Sequence, residues 1–366
     1  MSDSRMLRLY VDPAWRRAGA LHSPLLFPFW GNPTTEVSLF AKEMFDSYPM
    51  NTRLFTVTEK INEADMVFPP YRHSWLLEHD EALLRECVRQ AEETGLPLFI
   101  DGAGDVEFPV GIENAYVLRI GGYRFLPEKN RIQVPAAADD LLERCAGGRV
   151  QIRAKREGEK PIVSFAGWAE LTLTQTLRTV AKELPSRLRT VVDSRYRAMR
   201  KGVFWRKQAL NTLARSDKVE LRAIKRRTFS GSAKTAGAPM RRLRQELVDL
   251  VLASDYGLDV RGDANESTRL YEILSLGRIP IILDTERNLP FRDVVRYEDF
   301  SLIVDFRDIK RLPERIADFH RSVRPDVFEE MQRAARAAFV AHFRTDAHMR
   351  HIVRQLEALG ALTGNR

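Results

Sequence analysis

The sequence has few cysteines and no long apolar run. Its two cysteines, Cys87 and Cys145, fit a reducing compartment, although a single disulfide between them stays open as an alternative. No stretch approaches the roughly 18 uncharged apolar residues that a membrane-spanning helix needs, and the first residues lack the apolar core of a signal peptide. These absences predict a cytoplasmic protein, either free or held peripherally at the inner membrane face.

Residue patterns that bind metals or dinucleotides are missing as well. The sequence has no Asp-x-Asp, no His-x-x-x-His and no cysteine pair at metal-ligand spacing. Gly102 and Gly104 follow a predicted strand, but no helix with a third glycine comes after them, so they give weak support for a dinucleotide site. We therefore expect neither a metal nor another cofactor.

What the sequence does have is a strongly basic segment. Residues 195–244 contain sixteen Lys or Arg and two acids, a net +14, so the rest of the chain carries −6 within the total of +8. Aromatic residues are interleaved with these cations, and three partners fit: an anionic membrane surface, an anionic donor bound at a solvated edge, or nucleic acid. We favour the first two about equally and nucleic acid least.

The most informative stretch is a predicted strand, helix and strand between Tyr256 and Asp284. The first strand ends at a polar turn containing Gly262, and Asn265 or Ser267 can cap a helix whose apolar residues recur at helical spacing. A glycine ends that helix, and an apolar run with the length of a buried parallel strand follows. The pattern is typical of an open α/β sheet.

The start of this helix has the chemistry to hold a phosphorylated ligand. A helix that begins beyond the carboxyl end of a strand offers N–H groups and a positive dipole end to anions. Arg261 in the turn and Arg269 in the first helical turn add two guanidinium groups. Glu272, three residues later, can accept from two ribose hydroxyls. The alternative is an exposed ion pair between Arg269 and Glu272 with little effect on stability.

The same stretch resembles exostosin-type glycosyltransferases. That family's pattern has Arg-Gly, a Ser and an Arg in the next helix, a Glu three residues on, Gly-x-Ile-Pro, Leu-Pro-Phe and Phe-Ser. The matching residues are Arg261, Gly262, Ser267, Arg269, Glu272, Gly277, Ile279, Pro280, Leu289, Pro290, Phe291, Phe300 and Ser301. So many matches at fixed spacing are far more specific than a lone glycine motif. The family's Cys-Leu-Cys-Pro before Arg-Gly is replaced by Gly257-Leu-Asp-Val260, so the usual cysteine pair is absent.

Weaker matches at Ala64-Asp65 and Phe68-Pro69 extend the resemblance to the first half of the chain. The resemblance implies two Rossmann-like domains that face each other across a cleft, the GT-B arrangement, with a nucleotide-sugar as donor. It also implies that Gly167, in a Phe-x-Gly motif, lets the donor phosphates approach the backbone. The implied donor-binding residues are Gly167, Arg261, Gly262, Ser267, Arg269 and Glu272. Eukaryotic members are typically membrane-anchored, so a chain without an anchor is expected to be a bacterial member.

A catalytic base is expected from the first half of the chain. Activating an acceptor hydroxyl needs a carboxylate or an imidazole. An acidic glycine loop after a predicted strand places Asp101, Asp105 and Glu107 at a cleft position, and the family carries a comparable loop there. The alternative for each residue is a turn in which the carboxylate accepts from local N–H groups.

Length and the order of elements predict two domains. We expect a Rossmann-like acceptor-side domain over 1–150, a charged linker over 151–160, a Rossmann-like donor-binding domain over 161–345, and a C-terminal helix over 346–366 that crosses back to the first domain. Smaller elements include a helix over 35–47 and strands near 189–193 and 219–224, separated by the basic segment.

Together these features predict a glycosyltransferase, a hexosyltransferase or a related enzyme, that needs no metal. The resemblance implies that it inverts the anomeric centre, and a retaining transferase or a phosphorylase of the same architecture is the alternative among enzymes. It would move a sugar from a nucleotide-sugar to a glycan or lipid-linked saccharide acceptor, in bacterial surface polysaccharide synthesis. Arg261, Arg269 and helix N–H groups would stabilise the leaving diphosphate. The alternative is a non-catalytic basic protein that binds nucleic acid or another anionic polymer on an α/β scaffold.

Overall fold

The computed structural model describes residues 6–34, 39–156, 158–227 and 239–362. Over those residues the chain forms two parallel β-sheets with helices between their strands, and each sheet has its own apolar core. The two-part α/β fold predicted from the sequence is therefore confirmed. None of the helices in these ranges is long and apolar enough to cross a bilayer.

The first sheet contains six described strands and the second contains five. The first is built from β1 (Leu7–Tyr10), β2 (Phe55–Thr58), β3 (Met66–Val67), β4 (Leu98–Asp101), β5 (Ala115–Arg119) and β6 (Arg131–Gln133). The second is built from β7 (Ile162–Trp168), β8 (Glu220–Arg226), β9 (Tyr256–Asp259), β10 (Ile279–Asp284) and β11 (Leu302–Asp305). Their spatial orders are β2-β1-β3-β4-β5-β6 and β11-β10-β9-β7-β8, with all neighbours parallel.

Helices connect these strands, because parallel neighbours need a crossover. In the first half they are α1 (Phe27–Trp30), α2 (Leu39–Ser47), α3 (His73–His79), α4 (Glu81–Thr94) and α5 (Leu141–Cys145). In the second half they are α6 (Leu173–Lys182), α7 (Leu184–Val192), α8 (Gly202–Ala214), α9 (Met240–Leu252), α10 (Thr268–Ser275), α11 (Leu312–Ser322), α12 (Pro325–Ala338) and α13 (His348–Ala358).

The predicted strand, helix and strand of the second half are present as β9, α10 and β10. Ser267 caps α10, because its Oγ accepts a hydrogen bond from the Arg269 N–H at 3.2 Å. Gly277, with a φ of +64°, turns the chain from α10 into β10. β10 pairs with β9 on one side and β11 on the other, as expected for a buried parallel strand.

Two local predictions in the second half need correction or extension. The predicted strand at 189–193 is wrong, because these residues end helix α7. Thr190, Val191 and Val192 are β-branched and favour strands, but they continue the helix that begins at Leu184 and pair with no described strand. Helix α8 lies inside the basic segment and was not expected. The predicted strand at 219–224 is confirmed as β8.

Parts of two predictions fall outside the described residues. Of the helix predicted at 35–47, residues 35–38 lie outside them, and the remainder forms α2. Of the basic segment 195–244, residues 228–238 lie outside them.

Several contacts join the two halves. Helix α13 packs its apolar face on the core of the first sheet, and Gln355 exchanges two hydrogen bonds of 2.9 Å with the backbone of Gln133. Arg336 on α12 donates to the fully buried carboxylate of Asp140 at 2.6 Å. These contacts fix the cleft between the sheets, while the domain boundaries at 150 and 160 stay a prediction.

Candidate active site

A cavity of about 550 Å³ lies between the two halves, at the carboxyl ends of both sheets. Its first-half wall includes Ile120 after β5 and the segment 136–139 after β6. Its second-half wall includes Trp168 at the end of β7 and Arg226 at the end of β8. Open α/β folds bind ligands at this edge, and the volume is typical of a small-molecule site.

Four arginines line this cavity. They are Arg206 on α8, Arg226 on β8, Arg244 on α9 and Arg269 on α10. Arg226 also donates to Glu246 at 3.1 Å, which offsets part of its charge. Planar guanidinium groups match pairs of phosphate oxygens, so the cluster suits an anion that carries more than one phosphate.

Arg206 has no carboxylate partner within the described part of the chain. Its Nε donates to the carbonyl oxygen of Val260 at 3.3 Å, and its Nη1 donates to that of Trp168 at 3.1 Å. Burial, followed by the charge of Arg269, lowers the pKa of the Arg206 guanidinium to about 10. The group therefore stays charged at neutral pH, and an anion bound beside it would compensate for the hydration that it has lost.

Glu272 holds two of the cavity arginines in place. Its Oε1 accepts from Arg244 at 3.1 Å, and its Oε2 lies 2.6 Å from Nη1 of Arg269. Burial lowers the pKa of the Arg269 guanidinium, and Glu272 opposes that shift. This ion pair lies largely buried in the cavity wall, which contradicts the alternative of an exposed surface pair.

The rest of the wall is largely apolar and open. Met44 comes from the first half, and Phe165, Val203 and Leu243 come from the second. Gly167 lies among them, and a Cβ added there would meet only the ring of Phe165, at 3.5 Å. A cavity lined by both apolar and charged side chains fits a ligand with an anionic part and a flat or uncharged part.

The turn between β9 and α10 is fixed against both halves of the molecule. Asn265 donates to the carbonyl oxygen of Gly122 at 2.9 Å and to that of Thr285 at 3.0 Å. Gly202 at the start of α8 packs directly on the carbonyl oxygens of Arg261 and Gly262, where a Cβ would find no room. This close approach sets the distance between α8, which carries Arg206, and α10, which carries Arg269.

Most of the predicted donor-binding residues line the cavity, and one does not. Those that do are Gly167, Gly262, Ser267, Arg269 and Glu272. The guanidinium of Arg261 is buried and donates to the carbonyl oxygens of Ala198 and Asp263 and to the hydroxyl of Tyr123. The prediction that Arg261 faces the phosphates therefore needs correction, because its donors are used within the protein.

The expected helix N–H groups also need correction. The N–H of Ser267 donates to the Glu266 carboxylate at 2.9 Å, and the N–H of Arg269 donates to the Ser267 side chain. These two amides are therefore satisfied within the turn. The positive side chains, more than these amides, present charge to the cavity.

The three carboxylates predicted as base candidates lie in different surroundings. Asp101 is fully buried and accepts from the Ser23 hydroxyl at 2.6 Å and the Ala103 N–H at 3.0 Å, so it supports a turn away from the cavity. Glu107 pairs with Arg131 at 2.7 Å and also lies outside the cavity wall.

Asp105 is the one base candidate that lines the cavity. Solvent reaches its side chain, but the crowded cleft displaces much of its hydration. This loss of hydration, followed by the charge of Asp263 across the cleft, raises the pKa of the Asp105 carboxyl above its ordinary value. A raised pKa at the mouth of a cavity is a property of catalytic carboxylates.

Three cavity arginines were not singled out from the sequence. Arg206, Arg226 and Arg244 all belong to the basic segment 195–244, for which an anionic donor at a solvated edge was one of three interpretations. The available signal was the position of Arg226 at the carboxyl end of a predicted strand, where cavity residues occur. Part of the positive charge of this segment therefore lies in the cavity wall.

No group of three or more His, Cys, Asp or Glu side chains that could hold a metal ion occurs among the residues that the structure describes. The cavity carboxylates Glu272 and Asp139 both contact arginines.

The second half of the chain matches a known family. The model of the Exostosin GT47 domain matches residues 196–319, about one third of the chain. Residues 196–319 are therefore similar to an exostosin-type glycosyltransferase domain. This match confirms the resemblance that the motif predicted. It also confirms the predicted enzyme class, a glycosyltransferase. The matched segment of this exostosin-type domain contains all four cavity arginines and Glu272.

Several solved structures share parts of the architecture. A glycosyltransferase from Rickettsia africae ESF-5 is 12% identical over 92% of this chain and 84% of its own, with a TM-score of 0.37. Anabaena Alr3699/HepE, solved with UDP and glucose, is 11% identical over 97% of this chain and 100% of its own, with a TM-score of 0.38. TarM is 8% identical over 76% of this chain and 58% of its own, with a TM-score of 0.32. No curated protein matches the sequence.

The ligand of this domain is therefore inferred from the residues that line the cavity and not from these structures.

Proposed function

We propose that the cavity binds a nucleotide-sugar through its diphosphate, and that the enzyme transfers the sugar with inversion and without a metal ion. The observation that carries this proposal is the convergence of four arginines from four elements on one cavity that also has apolar side chains in its wall. Arg206 lacks a carboxylate partner among the described residues, so its charge is available to a bound anion. A diphosphate brings the complementary charge.

The residues have separate roles in this proposal. Arg206 and Arg269 contact the diphosphate, with Arg226 and Arg244 adding positive charge around it. Glu272 accepts from the ribose hydroxyls after one of its arginines turns to the phosphate. Gly167, Gly262 and Ser267 leave room for the ligand beside the backbone. Arg261 keeps the turn in shape and takes no part in binding.

The transfer is a single displacement. A hydroxyl oxygen of the acceptor attacks the anomeric carbon from the face opposite the diphosphate, and the bond between that carbon and the diphosphate oxygen breaks. The electron pair leaves with the diphosphate, whose charge the arginines stabilise. The proton of the attacking hydroxyl passes to the carboxylate of Asp105, which lies at the first-half wall of the cavity.

The acceptor in this proposal is a glycan or a lipid-linked saccharide, and the pathway is the synthesis of a bacterial surface polysaccharide. A cytoplasmic enzyme that works on a lipid-linked acceptor has to meet the inner membrane face. The basic segment 195–244 supplies positive charge outside the cavity for that contact, for example at Lys207 and Arg215.

The test is calorimetric titration of uridine, guanosine, adenosine and cytidine diphosphates into the wild type and Arg206→Gln. We expect one of them to bind, and Arg206→Gln to weaken it about 10- to 100-fold, because a charged hydrogen bond to phosphate is lost. Arg333→Gln is the matched control, since Arg333 is an exposed arginine on α12. No binding to any of them, together with tight and steeply salt-dependent binding to DNA, would favour the non-catalytic alternative.

A further inference from the structure

The most exposed large apolar side chains in the described part of the chain lie on one helical hairpin, formed by α6 and α7. Val192 is 91% exposed, Val191 87%, Leu177 70% and Leu188 66%, and the next, Val106, is 63% exposed. Leu188, Val191 and Val192 are spaced i, i+3 and i+4, so they share one face of α7. A single exposed apolar residue is ordinary, but a helix face of three is a candidate binding surface.

This hairpin contributes little to the interior. Its main contacts are between its own two helices and with the turn Ser194–Met199. No described residue of α6 or α7 belongs to the apolar cores of the protein. Leu177, Leu188, Val191 and Val192 therefore lie outside the cores that the described residues form.

The hairpin is also cationic. Its sequence, 173–192, contains four basic residues and one acid, Glu183. The Glu183 side chain is buried and accepts from the Lys201 N–H at 2.6 Å. Arg178 and Arg189 are exposed, each directly after one of the apolar residues. The surface of the hairpin thus combines apolar side chains with positive charge.

Further cations continue from the base of the hairpin. One surface groove runs from the loop 169–172, where α6 begins, to Lys207 and Asn211 on α8. A second groove shares Lys207 and Asn211 and continues along α8 and the start of α11. The two grooves contain seven basic residues, Arg200, Lys207, Arg215, Lys218, Lys225, Arg227 and Lys310, and three acids, Glu170, Asp217 and Glu314. Glu314 pairs with Lys218 at 3.1 Å and Glu170 with Arg227 at 3.3 Å, and the basic residues that remain are in excess.

We propose that the α6–α7 hairpin docks the enzyme on an anionic membrane surface, with Leu177, Leu188, Val191 and Val192 inserted at the interface and the arginines on lipid headgroups. Apolar side chains flanked by cations are the composition of interfacial helices. A symmetric contact between two copies fits less well, because it would bring the cations of one hairpin against those of the other.

This inference rests on the proposed lipid-linked acceptor, and it adds to the contact proposed for 195–244 a hairpin that precedes that segment. The hairpin is tied directly to the active-site cavity. Lys201, whose N–H binds Glu183, places its ammonium 5.2 Å from the ring centroid of Trp168 in the cavity wall. Docking the hairpin would therefore hold the cavity close to the bilayer.

The test is flotation of the purified protein with vesicles of phosphatidylcholine alone and with vesicles of equal parts phosphatidylcholine and phosphatidylglycerol. We expect binding to the anionic vesicles only. The triple variant Leu188→Ser, Val191→Ser and Val192→Ser should bind at least about tenfold more weakly. Arg178→Gln should weaken binding about fivefold, which corresponds to one arginine near an anionic surface.

Matched controls use residues elsewhere on the surface. Val294→Ser and Val327→Ser remove exposed apolar side chains from other elements, and Arg85→Gln removes an exposed charge from α4. All three should bind vesicles as the wild type does. Equal loss in controls and hairpin variants, or no binding of the wild type to anionic vesicles, would overturn the proposal.

Two further measurements separate this proposal from its alternatives. The affinity for the nucleoside diphosphate, measured by calorimetry, should be the same in the hairpin variants and the wild type. A wild-type protein that binds the nucleotide but not the vesicles would refute the docking surface and leave the proposed function unaffected. Light scattering gives the mass in solution. A wild-type dimer that the hairpin variants convert to a monomer, without vesicle binding, would assign the face to a second copy of the chain.

Discussion

Arg287 Nη2 lies 2.7 Å from Glu266 Oε1, and both side chains are fully buried. The same guanidinium pairs with Asp259 at the end of β9. Glu266 in turn accepts the N–H of Ser267, the residue that caps α10. A buried ion triad therefore holds the turn that places Arg269 and Glu272 in the cavity.

We predict that Arg287→Met lowers the free energy of unfolding by about 3 to 5 kcal/mol, because it leaves two buried carboxylates without their partner. Arg292→Met is the control. Arg292 pairs with Glu298 at the surface, and its loss should cost less than about 1 kcal/mol. Urea unfolding followed by circular dichroism measures both, and equal effects in the two variants would contradict the role of the triad.

Glu272 should have opposite effects on two ligands of the same cavity. Glu272→Ala removes the proposed acceptor for the ribose, so we expect it to weaken nucleoside diphosphate binding about tenfold. It also frees Arg244 and Arg269 from their carboxylate, so inorganic pyrophosphate should bind more tightly. Calorimetry with both ligands decides, and a loss of affinity for both would show that Glu272 acts only by positioning the arginines.

Asp105→Asn should lower kcat by about 10²- to 10⁴-fold, the usual contribution of a general base, with donor affinity unchanged. Glu107→Gln is the control, because Glu107 belongs to the same loop but lies outside the cavity wall. The base acts as a carboxylate. Since the pKa of Asp105 is raised, the acid limb of the kcat/KM profile should fall at a higher pH than an ordinary aspartate would give. A profile without that limb would argue against Asp105.

Chelation tests the proposed independence from metals. The arginines supply the positive charge that a metal would otherwise bring to the leaving diphosphate. Dialysis against EDTA should therefore leave the transfer rate unchanged within about twofold. A loss that Mg²⁺ or Mn²⁺ restores would overturn this part of the proposal.

The sequence predicted the parts of the site that are local. The β9–α10–β10 unit has regular spacing and a clear cap, so Arg269 and Glu272 were placed correctly on one helix face. Arg206, Arg226 and Arg244 meet them only because β7 lies beside β9 and β8 lies beside β7 in the sheet, an order that local patterns do not encode. Arg261 is close in sequence to Arg269 and Glu272, but its side chain donates to acceptors within the protein. Proximity in sequence therefore did not predict where its guanidinium lies.

Local sequence patterns also do not predict which side chains are exposed. The run Thr190, Val191 and Val192 has the composition of a strand, yet it ends helix α7 and pairs with no described strand. Likewise, Asp101 and Asp105 share one loop in the sequence, yet one is buried under Ser23 and the other opens on the cavity. Whether a side chain is buried depends on how the two halves of the chain pack together.

Acid should destabilise the packing of the C-terminal helix on the second half of the chain, where His348 contacts Phe343 and His351 contacts Phe291. Burial lowers the pKa of His348 to about 4 and that of His351 to about 3, with the charges of Arg350, His342 and Arg354 lowering the latter further. His351 shares a 3.1 Å hydrogen bond with His342. Both imidazoles are therefore neutral in the folded protein under conditions that protonate them once it unfolds.

The unfolded state binds more protons between pH 6.5 and pH 4, so stability falls as the pH is lowered through that window. We expect each of the two histidines to contribute a loss on the order of 2 kcal/mol between pH 6.5 and 4.5. His351→Phe should flatten this slope, whereas His79→Gln, at an exposed position, should leave it unchanged. Urea unfolding across this pH range measures the slope, and a variant slope equal to that of the wild type would rule out His351 as its source.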